Sequence, residues 1–347
     1  MQKYEKKRVC KKKVVILHFE NQIAAIMYYI IATVAVIALE LLYFFLAKKF
    51  HIVDRPNERS SHQRPVLLGA GIIFYLAMLF YSFTHGMAFP YFIIGLSALA
   101  VISYVDDLHP LPSWLRLFAQ LAAVLVCFWA DIHAIEVWQL ILFVIVFAGI
   151  LNIYNFMDGI NGMLAAYSFV LVGTFGYIAL FEQRFINLDF LVTLMIAILV
   201  FGFFNFRTKA RCFSGDVGSI CMGLITLFLL VRYTNAVSMP GMNVSRLCFI
   251  IVFLADGLLT IAKRFLSGRN ILEAHREHAY ETMVNELHIP HLYVSGGYAV
   301  LQLLINIGYL ITSDKNLYTL IIAFVLVIAY GLFFFYCNRK GKLPTHQ

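Results

Sequence analysis

Charge is what this sequence has least of. Only 13% of its 347 residues are Asp, Glu, Lys or Arg, against 61% hydrophobic residues, where a soluble domain carries about a quarter charged residues. With a mean hydropathy of +0.81, that excludes a water-soluble globular chain of this length. Cysteine pairing is missing as well. The six cysteines (Cys10, Cys127, Cys212, Cys221, Cys248, Cys337) show no C-x-x-C spacing, and most lie in or beside apolar runs. They read as small hydrophobes, neither disulfides nor metal ligands. No internal repeat, low-complexity segment or soluble domain interrupts the chain. No A-x-A-like site follows the first apolar run, which is also too long for a cleaved signal peptide.

What is there is a series of long apolar runs. With ~20 apolar residues per span as the ruler, eleven segments qualify, near 23–47, 67–84, 89–105, 114–130, 137–157, 160–181, 188–206, 217–234, 245–262, 294–312 and 316–336. The expected fold is therefore all-α, a polytopic integral membrane bundle of about eleven transmembrane helices. One transmembrane domain, 23–336, lies between basic tails at 1–22 and 337–347.

The formal net charge of +8 does not call for nucleic acid, because the basic residues sit in short loops. Odd-numbered connections and the C-terminal tail hold Lys48, Lys49, Arg55, Arg59, Arg64, Arg207, Lys209, Arg211, Lys263, Arg264, Arg269, Arg276, Arg339, Lys340 and Lys342, whereas the even-numbered ones hold only Arg184 and Lys315. That asymmetry predicts cytoplasmic odd loops and a cytoplasmic C-terminus. The N-terminus contradicts it: parity places it outside, yet Lys3, Lys6, Lys7, Arg8, Lys11, Lys12 and Lys13 make it the most basic segment. A first segment that does not cross fully, a miscounted span, or a start downstream at Met27 would each resolve the conflict.

The polar groups that interrupt the apolar runs collect on the side of the odd loops. Asn152-Ile153-Tyr154-Asn155-Phe156-Met157-Asp158-Gly159-Ile160-Asn161-Gly162 follows a long apolar run. A helix–helix turn explains Asp158 to Gly162. It does not explain Asn152 and Asn155, which are spaced i, i+3 on one helix face, and such groups in a membrane span read as functional. Asp106-Asp107 ends another run; two adjacent carboxylates need a cation, an arginine or a shared proton, and Arg116 is the nearest arginine in sequence. Asp216 lies in Ser214-Gly215-Asp216-Val217-Gly218-Ser219 at a helix start, where glycines let backbone N–H groups approach a ligand and Ser219 can donate. The loop from Asp54 to Pro65 carries Arg59 and His62 ahead of Gly69-Ala70-Gly71, and arginines with backbone amides suit phosphate oxygens.

The 263–293 connection holds Glu273-Ala274-His275-Arg276-Glu277-His278. His275 and His278 lack the H-E-x-x-H spacing and any cysteine partner of a zinc site; beside Arg276 they suit a diphosphate or a sugar. Asp256, inside a span, faces either the same cavity or a basic neighbour. Carboxylates and carboxamides together suit a hard cation such as Mg²⁺, which takes one or two protein carboxylates plus substrate phosphates. Phosphoryl transfer rests mostly on positioning and electrostatic stabilisation.

Taken in order, Asp54 to His62, Asp106-Asp107, Asn152 to Gly162, Gly215 to Ser219 and Ala274 to His278 resemble the polyprenyl-phosphate N-acetylhexosamine-1-phosphate transferases. The Arg-x-His form of the last motif looks most like the branch that initiates O-antigen. The resemblance implies a membrane enzyme of a bacterial cytoplasmic membrane with its active site on the cytoplasmic face. It would move N-acetylhexosamine-1-phosphate from a UDP-sugar to undecaprenyl phosphate, release UMP and start a cell-envelope polysaccharide. It also implies Mg²⁺, with Mn²⁺ as an alternative, and allows a homodimer. Carried over residue by residue, Asn155 and Asp216 would be metal ligands, with Asp216 also catalytic. Asp107 and Asp158 would shape the metal and diphosphate site, and Asp106 would order the lipid phosphate or take its proton. Asn161, where many relatives carry an aspartate, would lie near the nucleotide. His275, Arg276 and His278 would face the diphosphate-sugar, and Arg59, His62, Gly215 and Ser219 complete the expected substrate contacts. The rival reading is a lipid-linked-sugar transporter or flippase, which calls for internal repeats and ionisable groups near the midplane. A CDP-alcohol phosphotransferase would carry D-G-x-x-A-R, absent after both Asp158-Gly159 and Asp256-Gly257.

Overall fold

The computed structural model describes residues 2–54, 65–131, 136–237, 244–270 and 276–342, with 2–21 as backbone alone. Every one of the eleven apolar segments is helical. Among the described residues nine helices are long and apolar enough to cross a membrane. They lie in α1 (Gln2–Lys49, from Gln22 onward), α3 (Pro90–Leu108), α5 (Val137–Phe156), α6 (Met163–Tyr177, extended by a wide turn to Glu182), α7 (Leu188–Asn205), α8 (Gly215–Ala236), α9 (Ile251–Leu266, entered through Val244–Ile250), α11 (His291–Ile311) and α12 (Lys315–Arg339). The other two expected segments form shorter apolar helices, α2 (Ile72–Thr84) and α4 (Ser113–Cys127). The long connection folds a short extra helix, α10 (Ala279–Asn285). The membrane part is all-α as expected. Among the described residues the one sheet is two-stranded, β1 (Val53–Asp54) pairing antiparallel with β2 (Val66–Leu67), and Leu67 also bridges Cys212.

The bundle is built around α8, which packs on α2, α3 and α5. Of its most apolar stretch 83% is buried, against 6% for the peripheral α12. Its sequence explains the difference: Gly215, Gly218, Ser219 and Gly223 give its first half one face of small residues, so neighbouring backbones can close on it. The tightest approach is to α2, where a Cβ on Gly71 would overlap the Cα of Gly218, and one on Gly218 would lie 2.7 Å from the Cα of Gly71.

Polar side chains then join helices where apolar contact alone confers little specificity. Between α6 and α11, Tyr167 donates to Gln302 Oε1 at 2.5 Å, Gln302 Nε2 to Asn306 Oδ1 at 2.6 Å, and Asn306 Nδ2 to Thr174 at 3.0 Å. Asn152 belongs to this class. Its Nδ2 donates to Gln120 Oε1 at 2.7 Å and to Ala148 O at 2.8 Å, tying α5 to α4.

Helix α1 crosses the whole bundle. Near one face Tyr29 donates to Asp189 at 2.8 Å, in the first turn of α7; near the other, Tyr43 donates to Leu68 O. Fourteen residues separate the two tyrosines, roughly 21 Å of helix rise. The first segment is thus a full span. The backbone of residues 2–21 continues α1 from the face opposite the basic loops.

Gly71→Ala and Gly218→Ala should each force the α2–α8 contact apart, costing about 1–3 kcal/mol as overpacking does. Thermal unfolding of the detergent-solubilised protein reads this, and Gly149→Ala, where a Cβ meets nothing within 4 Å, is the control that should not shift it.

Candidate functional site

Three chain segments end at one face of the bundle and bring their acids together: the last turn of α3, the α5–α6 turn, and the first turn of α8. The link that joins the first and third is Asp107. Its Oδ1 accepts the backbone N–H of Asp216 at 2.8 Å and its Oδ2 that of Val217 at 3.1 Å. A carboxylate from one helix thus caps the first turn of another, where unsatisfied amides and the helix dipole favour negative charge. Gly215 makes room for it. It is left-handed, with φ of 69°, and a Cβ there would collide with the Asp107 carboxylate and come within 2.9 Å of the Cα of Gly69.

Asp106, one residue earlier, points to the other side of the same turn. Its Oδ1 accepts the Leu111 N–H at 2.6 Å and its Oδ2 a hydrogen bond from Arg116 Nη1 at 3.0 Å. The same guanidinium nitrogen lies 3.6 Å from Asp216 Oδ2. Arg116, singled out by its spacing, therefore bridges two of the acids. Asp216 also neighbours the side chains of Asp106 and Asn155. Asn155 in turn accepts from Ser219 Oγ at 2.8 Å, and Asp158 accepts from Ser214 Oγ. Burial pushes the Asp158 carboxyl up to about 8, aided by the charges of Asp216 and Asp107 and opposed by the Ser214 bond. Four aspartates thus meet with a single guanidinium ion-paired to them among the described residues. That leaves negative charge for a proton or a cation to balance.

Among the described residues no three acidic, histidine or cysteine side chains enclose a metal ion by themselves. Mg²⁺ needs no such enclosure, since it keeps waters and takes one or two carboxylates with substrate phosphates. Asp216, flanked by Asp106 and by the Asn155 carboxamide, presents carboxylate oxygens of the kind such a site requires. The residues fit the ion.

Other expected site residues fall elsewhere. Asn161 is nearly buried, at 9% exposure, and its Nδ2 donates to the carbonyls of Arg207 at 2.9 Å and Thr208 at 3.4 Å. An aspartate could not donate there, which gives the asparagine a physical reason. The side chain ties the α5–α6 turn to the α7–α8 connection. Asn205, which sequence reasoning missed, does the same from the other side, accepting from Gly162 N at 2.8 Å and donating to Cys212 O at 2.9 Å. No spacing signal marks it; it is one more asparagine ending an apolar run. His278 is 2% exposed and turns inward, its Nδ1 3.4 Å from Asp256 Oδ1. Arg276 is partly exposed in the same segment. Arg59, His62 and His275 lie outside the described residues.

Glu277 binds three cations: Arg264 at 2.5 Å, Arg269 at 2.8 Å and Lys263 at 3.4 Å. Burial alone would raise its carboxyl, but Lys263, Arg269 and Arg264 outweigh that and hold it below the usual glutamate value.

Residues 89–234 match the model of glycosyl transferase family 4, a stretch that contains Asp106, Asp107, Arg116, Asn155, Asp158, Asn161, Asp216 and Ser219. Three bacterial relatives match over most of their length. An undecaprenyl-phosphate alpha-N-acetylglucosaminyl 1-phosphate transferase of Yersinia pestis is 26% identical over 280 residues, covering 71% of this chain and 76% of its own. The protein of the same name from Escherichia coli (strain K12) is 24% identical over 331 residues, covering 86% and 87%. A probable undecaprenyl-phosphate N-acetylglucosaminyl 1-phosphate transferase of Bacillus subtilis (strain 168) is 21% identical over 336 residues, covering 89% and 91%. The resemblance drawn from the motifs is borne out by both comparisons.

Because the folded-state carboxyl of Glu277 is held down, its stabilisation is present above the ordinary glutamate value and is lost as pH falls through the lowered one. Glu277→Gln should cost on the order of 3 kcal/mol at pH 7, as breaking a buried ion pair does. The gap to the parent protein should close in acid below the ordinary glutamate value of 4.5, as followed by unfolding in detergent at several pH values.

Proposed function

We propose that this protein is a polyprenyl-phosphate sugar-1-phosphate transferase. It takes N-acetylhexosamine-1-phosphate from a UDP-sugar, passes it to undecaprenyl phosphate and releases UMP. It would work at the cytoplasmic face of a bacterial cytoplasmic membrane, as the first step of a cell-envelope polysaccharide of the O-antigen or capsule kind. The observation that carries this reading is the convergence of Asp106, Asp107, Asn155, Asp158 and Asp216 from three helix ends at one membrane face. The family match and the names of the relatives support it. So does the placement of the acids at helix ends rather than at mid-span, where a transporter would keep them.

In the step itself a phosphate oxygen of the lipid attacks the β-phosphorus of the UDP-sugar. A new P–O bond forms, the bond between the β-phosphorus and the bridging oxygen breaks, and UMP leaves with that oxygen on its α-phosphorus. Asp216 and Asn155, with Asp106 beside them, would hold Mg²⁺, which supplies charge neutralisation on the transferring phosphate. Asp107 spends both oxygens on the α8 amides, so its task is to keep Asp216 in place. Asp106, held by Leu111 N and Arg116, borders a small cleft that Leu99, Ile102, Ser103, Gln120 and Ile220 also line. Arg116, beside Asp106, suits the phosphate that the lipid carries. Asp106 is then the carboxylate placed to order that phosphate or accept its proton. Partly exposed Arg276 would meet the diphosphate from the 263–293 connection.

The test supplies the purified protein with UDP-N-acetylglucosamine, undecaprenyl phosphate and Mg²⁺ and measures UMP. Release should stop with EDTA and fall at least about 100-fold in Asp216→Ala, the scale set by losing a stabilising electrostatic group. Release that persists through both changes would remove Asp216 and the ion from the account. Running UDP-N-acetylgalactosamine beside the glucosamine sugar would identify the hexosamine.

A further inference from the structure

Asp256 lies within the α9 span and is 4% exposed. A carboxylate there is costly and persists only when its surroundings use it. Its Oδ1 accepts from the backbone N–H of Ala279 at 2.9 Å and from Thr260 Oγ1 at 3.2 Å. Its Oδ2 accepts from the backbone N–H of Tyr280 at 3.2 Å and from Tyr298 OH at 2.6 Å. His278 Nδ1 stands 3.4 Å from Oδ1. Three of these five partners are consecutive residues, His278, Ala279 and Tyr280, at the start of α10. Asp256 thus grips one corner of the chain.

That corner has an exit toward the acidic site. The Tyr280 hydroxyl donates to the carbonyl of Phe156 at 2.7 Å. Phe156 is the last residue of α5, and its carbonyl is one of the four that a helix cannot satisfy within itself. One residue back is Asn155 and two residues on is Asp158. Gly159 completes the contact, since a Cβ there would overlap the Tyr280 hydroxyl. The tyrosine therefore caps the end of α5 and presses on the turn that presents Asn155 and Asp158.

We propose that Asp256 is a positioning residue of the transfer site: through His278 and Tyr280 it fixes the α5–α6 turn, and with it the placement of Asn155 and Asp158. The inference rests on the proposed phosphotransfer, which makes that turn catalytic. It also accounts for His278, whose buried ring, stacked on Tyr280 at 5.8 Å between centroids, turns toward Asp256. The acid reaches substrate only through this corner.

Asp256→Asn, Tyr280→Phe and their double variant test the relay in the full-length protein in nanodiscs. Tyr280→Phe keeps the ring and removes only the hydroxyl, so it leaves the bundle folded. Two readouts are taken: hydrogen–deuterium exchange of the peptide spanning 156–162, and kcat and KM for UMP release. Each single variant should raise exchange in that peptide at least about tenfold, while exchange in α6 and α11 stays at the parent level. Each should lower kcat at least about tenfold and leave both KM values within about threefold. Because the two residues act in series, the double variant should be no worse than Asp256→Asn. Parent-level exchange in Tyr280→Phe, losses that multiply in the double variant, or a raised KM with unchanged kcat would each overturn the proposal. If the parent protein releases no UMP, the phosphotransfer reading fails by itself, and the exchange result alone decides whether Asp256 and Tyr280 hold the turn.

Discussion

The candidate site depends on one carboxylate, Asp107, placed on the amides of Asp216 and Val217. This contact docks the end of α3 onto the start of α8 and puts Asp106 and Asp216 on either side of Arg116. It is available only because Gly215 and Gly218 at the start of α8 carry no side chain, so that α2, α3 and the backbone near Gly69 can all approach it. The packing of the most buried helix and the assembly of the acids are the same structural fact. A larger residue at 215 or 218 would disturb both.

The second constraint is charge. Asp106, Asp107, Asp158 and Asp216 gather at a membrane face where water is scarce, and Arg116 spans two of them. Serine hydroxyls and backbone amides take up part of the remaining negative potential. The rest favours a proton or a cation, and Asp158, raised to about 8, shows how far burial presses on a carboxyl there. A site of this kind binds phosphates well only when a cation stands between the two sets of oxygens. That is the physical link between the geometry and the proposed metal-assisted transfer of a phosphorylated sugar.

Much of this was legible in the sequence, because membrane spans leave so few polar groups that each one stands out. The eleven apolar segments, the acids at Asp106-Asp107, Asp158 and Asp216, and the Asp106–Arg116 pairing all followed from that contrast. Which polar group touches which was not legible. Asn152 proved to be an interhelical fastener paired with Gln120, and Asn161 a clamp on the carbonyls of Arg207 and Thr208. His278 turned from the surface to Asp256. Each of these outcomes depends on helix rotation and on partners more than thirty residues away except for the short His278–Asp256 separation. Asn205 and Tyr280 were invisible for the same reason, since nothing local marks either as a contact to the α5–α6 turn. The basic N-terminal segment remains at odds with the loop charges, because α1 does cross the bundle and places that segment opposite them.

The most direct measurement follows the phosphorus. UDP-N-acetylglucosamine labelled with ³²P at the β-phosphate is incubated with the purified protein, Mg²⁺ and undecaprenyl phosphate, and the products are partitioned between water and butanol. The account predicts label entering the butanol phase in equal molar amount to the UMP formed, as a lipid diphosphate sugar. Label that stays in water while UMP is released would mean hydrolysis of the nucleotide sugar, and would contradict transfer to the lipid.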